Sequence, residues 1–516
     1  MSTNQQAADH SGKDGESPTL AGLLTPHVRE EPDRTALVER GTRWTYADLT
    51  AAADGLASRL VDAGLAGERI AFMLPNGSEA VLTYLACFIS GSMAVPLNTR
   101  YAPPEIEQAL KLARPAWLIV DASMLERLDR VDQAVLDGTR ILVVGDAGGR
   151  EPFAPLLAPG SAPPAADHPS EQPAVMFFTS GSTGPPKGVV HGHASALAML
   201  TSTSEALGDV NSEDRVQVCE PLVHVSGFIA TLTTLNSGGT VFLYEGFDRD
   251  RYVAGLLENR PTLVCTHIDL LAQLTRAPGA KREWFSSLRG VYAGGDTVPA
   301  SVHRDFIDLA GLPIGIGWGM TEAIWLTVSR TPRLERDGCI GKPVGGAEVR
   351  TDEQTGELLV RGPMMMLGYF ENEPLTQAAT VDGWLRTGDL GSRDEDGVWW
   401  FEGRLKDLIV RRTSKITPGE VEAALVRHPA VNMAAVIGIA DEAEGQVPVA
   451  FVVLRAGQVA TADDLTAFLR ERVAGYKIPA RIHFLDALPL TPSGKIAHRE
   501  LHERSADAFD QRPSRE

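Results

Sequence analysis

The sequence predicts a large doubly wound α/β domain that carries a β-rich subdomain and is followed by a small mobile α+β domain. Three observations carry that expectation. Short apolar runs alternate with amphipathic helical patterns through most of the 516 residues, the wiring of a mainly parallel sheet flanked by helices. Several of those runs end in glycine-rich or polar turns, which is where open α/β sheets bind ligands. Past Gly403 the pattern restarts as one helix and two apolar strands over residues 404–516.

Residues 1–17 are polar and lack the apolar core of a signal peptide, so a disordered tail is expected there. In residues 20–119, Thr45-Tyr-Ala-Asp-Leu49 opens a helix and Arg69-Ile-Ala-Phe-Met-Leu74 reads as a strand. An apolar helix face over 82–88 leads to Ala94-Val-Pro-Leu-Asn98, which closes a βα unit. This region is assigned to core packing. Residues 148–172, rich in Pro, Ala and Gly, form a surface connection into the apolar strand Ala174-Val-Met-Phe-Phe178.

His191-Gly-His193 is not a metal pair, because side chains two positions apart face differently and no third ligand lies nearby. Glu220-Pro-Leu-Val-His-Val-Ser-Gly-Phe228 sets His224 among apolar residues at the start of a helix. Thr262-Leu-Val-Cys-Thr-His-Ile-Asp269 and Gly290-Val-Tyr-Ala-Gly-Gly-Asp296 are apolar strands with polar exits. Gly315-Ile-Gly317-Trp-Gly319 has the wrong glycine spacing for a dinucleotide fingerprint. From Gly356 to Glu402, short alternating strands with Asp-Gly turns predict the β-rich subdomain. Pro418-Gly-Glu-Val-Glu-Ala-Ala-Leu425 then starts a helix, with strands at Ala434-Ala-Val-Ile-Gly-Ile439 and Val449-Ala-Phe-Val-Val453.

With 43% hydrophobic and 22% charged residues the composition is that of a globular protein, and no apolar run reaches membrane-span length. The formal net charge of −19 argues against nucleic acid or an anionic membrane as partner. Four widely spaced cysteines with no CxxC pair suggest neither a zinc site nor a disulfide framework, so a reducing cytoplasm is expected.

The stretch that organises the chain is Phe178-Thr-Ser-Gly-Ser-Thr-Gly-Pro-Pro-Lys-Gly188. Hydroxyls, free backbone N–H groups and one lysine make a cradle for phosphate oxygens, and glycine lets the backbone approach them. A Walker loop is excluded, since Lys187 follows two prolines and precedes Gly188. A flexible linker is excluded too, since apolar strand residues flank the run on both sides. The loop resembles the signature of the adenylate-forming superfamily, which contains acyl-CoA synthetases, firefly luciferase and the adenylation domains of nonribosomal peptide synthetases. Gly317-Trp-Gly-Met-Thr-Glu322, Arg386-Thr-Gly-Asp-Leu390, Gly403-Arg-Leu-Lys-Asp407 and Pro492-Ser-Gly-Lys-Ile496 follow in the family's order.

The resemblance implies a role for each matched residue. Thr179, Ser180, Gly181, Ser182, Thr183, Gly184 and Lys187 hold the β- and γ-phosphates of ATP; Gly294, Gly295 and Asp296 border the adenine and the acyl pocket. Trp318, with Gly319 and Met320, stacks on adenine, Thr321 contacts the α-phosphate and Glu322 holds Mg²⁺. Asp389 and Arg404 fix the ribose, and His224 borders the channel between acid and thiol. Lys406 is the hinge between residues 18–403 and 404–516, and Lys495 bridges the attacking carboxylate and the α-phosphate. The implied reaction joins an acid to ATP as acyl-AMP, then passes the acyl group to CoA or a carrier-protein thiol.

The acid pocket is expected to be compact and partly polar, lined by His224, His267, Asp269, Asp296 and Trp325, which suits a small or aromatic acid with an amino or hydroxyl group. Where thioester-forming relatives carry Gly-Gly, this chain has Arg412 and Thr413, so free CoA is expected to be a poor acceptor. A non-thiol second step, amide formation or nitrite activation for diazotisation, is the alternative within enzymes. A nucleotide-sensing protein is disfavoured because sensing needs neither Lys495 nor Glu322.

Overall fold

The structure is a computed structural model, described here for residues 19–163, 168–179, 186–294, 298, 300–412, 414–441, 443–490 and 496–507. Two large sheets and one small one account for its described strands. The first sheet has eight strands, ordered Gly368–Tyr369, Lys187–Gly192, Pro173–Thr179, Met93–Pro96, Arg69–Met73, Trp117–Asp121, Arg140–Val144 and Glu151–Pro152. It is parallel from Pro173–Thr179 onward, while Pro173–Thr179 and Lys187–Gly192 form an antiparallel hairpin. The second, with 14 strands, has a parallel centre of Thr240–Leu243, Arg215–Val218, Leu263–Thr266, Gly290–Gly294 and Ile314–Met320. It continues antiparallel into Ala323–Ser329 and the strands from Cys339–Pro343 to Trp399–Arg404, which start ahead of the β-rich subdomain expected from Gly356 to Glu402 and include it.

Residues 20–119 divide between the sheets. Thr35–Glu39 lies parallel to Thr240–Leu243, one strand in from the far edge of the second sheet, whereas Arg69–Met73 is central in the first. The helix Tyr46–Asp62 begins where Thr45 Oγ1 accepts from the Asp48 N–H and the Asp48 carboxylate accepts from the Thr45 N–H, 3.0 and 3.2 Å. Such a reciprocal cap stabilises a helix by about 1 kcal/mol.

An aromatic knot binds the sheets where the site is built. Phe72 of the first sheet meets Tyr84 of the buried helix Ser78–Ser90 at 4.9 Å between centroids, and Tyr84 meets Phe228 of the helix Val225–Asn236 at 5.0 Å. Phe177 of the strand Pro173–Thr179 meets the same Phe228 at 5.2 Å. Edge-to-face pairs of this kind are worth about 0.5–1.5 kcal/mol beyond the area they bury. The knot therefore fixes the strand Pro173–Thr179 against the helix Val225–Asn236.

After Trp399–Arg404 the chain makes one 3₁₀ turn, Leu405–Asp407, and enters a five-stranded sheet of Ser414–Ile416, Ile409–Arg411, Gly445–Leu454, Val431–Asp441 and Arg481–Phe484. Its apolar face packs on the helices Pro418–Val426 and Ala462–Arg470 through Val421, Leu425, Leu465 and Leu469. Contacts between the large and small parts include two polar ones: Arg276 Nη1 donates to Asn432 Oδ1 at 2.9 Å and Arg427 lies 3.9 Å from Asp337. No described helix is long and apolar enough to cross a membrane.

Candidate active site

The hairpin brings Thr179 opposite Lys187 at its mouth. Ser180, Gly181, Ser182, Thr183 and Gly184, predicted to cradle phosphate, lie outside the described residues, as do Gly295, Asp296 and Lys495. Lys187 itself is placed: its ammonium stands 5.4 Å from the centre of the Tyr369 ring.

Beside the hairpin, Ile314–Met320 turns through Thr321 and Glu322 into Ala323–Ser329. Three contacts hold that turn. His191 Nε2 donates to the Thr321 carbonyl at 2.8 Å, the Met366 N–H donates to the Glu322 carbonyl at 2.8 Å, and the Tyr369 hydroxyl donates to Glu322 Oε1 at 2.8 Å. His191 is completely buried, and burial lowers its pKa to about 4, so the ring is neutral and its Nε2–H is fixed as the donor. His193 is stacked on His168 at 4.9 Å and is likewise lowered to about 4, first by burial and then by His168. His191 and His193 thus act as neutral buried groups.

Trp318 is buried, and its indole N–H donates to Asp389 Oδ2 at 2.9 Å. Arg404 Nε lies 3.4 Å from Asp389 Oδ1, the two residues being cross-strand partners. The residues predicted for adenine and ribose therefore form one connected group, with Asp389 in the middle. Lys406 sits in the 3₁₀ turn two residues beyond.

Gly294 pairs with Gly317 across adjacent parallel strands. Over Gly317 lies the ring of Trp325: a Cβ at residue 317 would stand 1.6 Å from Trp325 Cζ3, so glycine is required there. Trp325 takes a left-handed φ of 47°, where the register shifts between Trp318 and Met320, and its carbonyl accepts from Ser202 Oγ at 2.8 Å. Its indole N–H is buried without a partner. His267 stands at the N-terminal boundary of the helix Ile268–Thr275 and Asp269 is in its first turn, both exposed, while His224 stands at that of Val225–Asn236 and is half-buried.

Sequence reading missed three groups. Tyr369 sits on a strand of two residues, too short for any periodicity. His191 shows in sequence only as half of a His-Gly-His run, with nothing to indicate its contact with Thr321. Glu220, just after the strand Arg215–Val218, is fully buried; burial raises its pKa, opposed by the Thr266 hydroxyl and by His267. Its only signal was a carboxylate inside an otherwise apolar run. Among the described residues, no three His, Cys, Asp or Glu side chains converge on one point.

Residues 24–370 match the family model described as AMP-binding enzyme, and residues 420–495 match the AMP-binding enzyme C-terminal domain. A feruloyl-CoA synthase from Amycolatopsis sp is 34% identical over 494 residues, covering 92% of this chain and 97% of the relative. The crystal structure of ATP-bound MatB from Rhodopseudomonas palustris superposes with a TM-score of 0.87 at 26% identity, covering 95% of this chain and 99% of that one. The amide bond synthetase McbA from Marinactinospora thermotolerans gives 0.85 at 28% identity, covering 94% and 99%.

Proposed function

Because the chain belongs to the AMP-binding enzyme family, the adenylate-forming ligases, we propose that it activates a small or aromatic carboxylic acid and passes the acyl group to a thiol. In the first step a carboxylate oxygen attacks the α-phosphorus of ATP; the bond from that phosphorus to the bridging oxygen breaks, and pyrophosphate leaves. In the second a thiolate attacks the acyl carbon and AMP leaves with the bonding pair. The observation that carries this reading is the continuous run from Lys187 through Tyr369, Glu322 and Thr321 to Trp318, Asp389 and Arg404. It offers a cation for phosphate at one end and a carboxylate with an arginine for ribose at the other.

Two anions must meet in the first step, so the demand on the protein is positional and electrostatic. Lys495 would meet the attacking carboxylate and the α-phosphate, Thr321 the α-phosphate, and Lys187 with residues 179–184 the outer phosphates. Mg²⁺ would be held by Glu322 and would neutralise charge on the phosphates. The hinge at Lys406 would withdraw Lys495 so that the acceptor can enter. The acid lies toward Gly294, Gly317 and Trp325, with Glu220 and His267 as polar groups at the neighbouring strand ends. Related proteins support an aromatic acid, feruloyl-CoA synthase among them.

A non-thiol acceptor is the second reading, and one observation favours it. Arg412 occupies the turn where thioester-forming relatives have glycine and takes a φ of 57° there, its guanidinium 3.4 Å from Glu444. The similarity to an amide bond synthetase points the same way. Pyrophosphate release across a panel of aromatic acids and nitrite, with CoA, phosphopantetheine carrier protein or amines, tests both. Acid-dependent release with productive thiol transfer supports the first reading; amide formation alone supports the second.

A further inference from the structure

Lys187 and Glu322 come from separate motifs on separate sheets, and the side chain that joins them is Tyr369. Its hydroxyl donates to Glu322 Oε1 at 2.8 Å while the face of its ring lies under the Lys187 ammonium at 5.4 Å. Glu322 is 8% exposed, so its charge has little water to stabilise it, and a hydrogen bond from a neutral hydroxyl to a carboxylate is among the stronger kinds. The ammonium gains from the electron-rich ring face.

The backbone repeats the connection. The Leu367 N–H donates to the Val190 carbonyl and the Phe370 N–H to the Gly188 carbonyl, 2.8 and 2.7 Å, which lays Gly368–Tyr369 antiparallel to Lys187–Gly192. Gly188 permits this: a Cβ there would stand 2.5 Å from Met176 Sδ and 3.2 Å from Phe370 Cβ. One residue before the pairing, the Met366 N–H holds the Glu322 carbonyl. Residues 366–370 thus grip Glu322 by main chain and side chain and grip the strand that begins at Lys187.

We propose that Tyr369 is a positioning residue of adenylate formation, holding the Glu322 carboxylate oriented for a nucleotide-bound divalent cation and the Lys187 ammonium beside it for the phosphates. The proposal rests on Glu322 as the Mg²⁺ carboxylate. A carboxylate offers about four lone-pair directions, and the Tyr369 hydroxyl takes one, leaving the others for the cation. Hydrogen-bond partners that orient a metal ligand typically account for 10–100-fold in metal affinity.

The test uses the full chain with a non-hydrolysable ATP analogue and Mn²⁺, whose binding to the enzyme–nucleotide complex is read by electron paramagnetic resonance without turnover. Tyr369→Phe keeps the ring and removes the hydroxyl. It should weaken Mn²⁺ about 10–100-fold while metal-free binding of the analogue changes less than about twofold, since Lys187 keeps its ring. Tyr369→Leu should weaken both. Unchanged or tighter Mn²⁺ binding in Tyr369→Phe overturns the proposal. So does an equal loss of metal-free nucleotide binding, which would signal general distortion of the site. Glu322→Gln separates the premise from the proposal: if it too leaves Mn²⁺ affinity unchanged, the magnesium reading of Glu322 has failed, and the role of Tyr369 with it.

Discussion

Trp325 and Trp318 show how much one buried donor depends on its neighbours. Trp318 has Asp389 as acceptor, whereas the Trp325 N–H is buried without one. An unpaired buried N–H costs about 1–3 kcal/mol, so Trp325→Phe should leave the free energy of unfolding within about 1 kcal/mol of the parent, the lost packing offset by the lost penalty. A loss above about 3 kcal/mol in denaturant unfolding would mean the N–H is satisfied. Gly317→Ala, which drives a methyl into the same ring, should destabilise by about 1–3 kcal/mol as an overpacked core. Lys495→Ala should retain ATP binding but lose about 2–4 kcal/mol of barrier lowering in adenylation, as when an oxyanion donor is removed; exchange of pyrophosphate at near parental rate would remove Lys495 from its assigned role. At this scale the sequence named candidates where a motif was present, as at Asp389 and Glu322, and the structure places both in one neighbourhood of hydrogen-bonded side chains. The sequence was silent at His191 and Tyr369, whose importance arises from partners 130 and 47 residues away.

Elements were legible where they were long enough to show a period. The helix Tyr46–Asp62 and the strands Val431–Asp441 and Gly445–Leu454 stood out from their apolar patterns. The strand Gly368–Tyr369 did not, because two residues hold no period; it exists through pairing with Lys187–Gly192. Which sheet a strand joins was equally hidden: Thr35–Glu39 and Arg69–Met73 look alike in sequence and lie in different sheets, since strand partners are set by long-range packing. The turn between Ile409–Arg411 and Ser414–Ile416 carries its own prediction. Arg412 there has a left-handed backbone, and its N–H donates to the Glu444 carbonyl at 2.7 Å, while Arg411 pairs with the Glu444 carboxylate and, most strongly of the nearby groups, lowers its pKa. Left-handed geometry costs a side-chain-bearing residue about 1–2 kcal/mol, and glycine loses about 0.5–1 kcal/mol of that gain to its unfolded-state freedom. Arg412→Gly should therefore change stability by less than about 1 kcal/mol, yet raise CoA-dependent consumption of preformed acyl-AMP at least threefold if the side chain obstructs the thiol. Efficient CoA transfer by the parent enzyme would contradict the obstruction.

Across the whole molecule, burial of neutral histidines sets a pH response. His191, His193 and His303 all have pKa values lowered to about 4, with burial the largest cause. The unfolded chain, with histidines near 6.5, binds protons that the folded chain refuses between those values. Stability is then full above about pH 6.5 and falls as pH drops toward 4, by on the order of 1–3 kcal/mol for each histidine. Melting temperatures across that range should show the decline, and His303→Asn, at a buried position outside the motifs assigned to nucleotide, should make it shallower. The sequence pattern breaks after Gly403, and Arg276–Asn432 and Arg427–Asp337 are polar contacts between residues on either side of that break. The central claim, that the chain makes an acyl-adenylate before any acceptor is needed, is tested most directly by isotope exchange between pyrophosphate and ATP with no thiol or amine present. Label should enter ATP when a small aromatic acid is added and not without it; no exchange with any acid, or release of ADP and phosphate in place of AMP and pyrophosphate, would contradict the account.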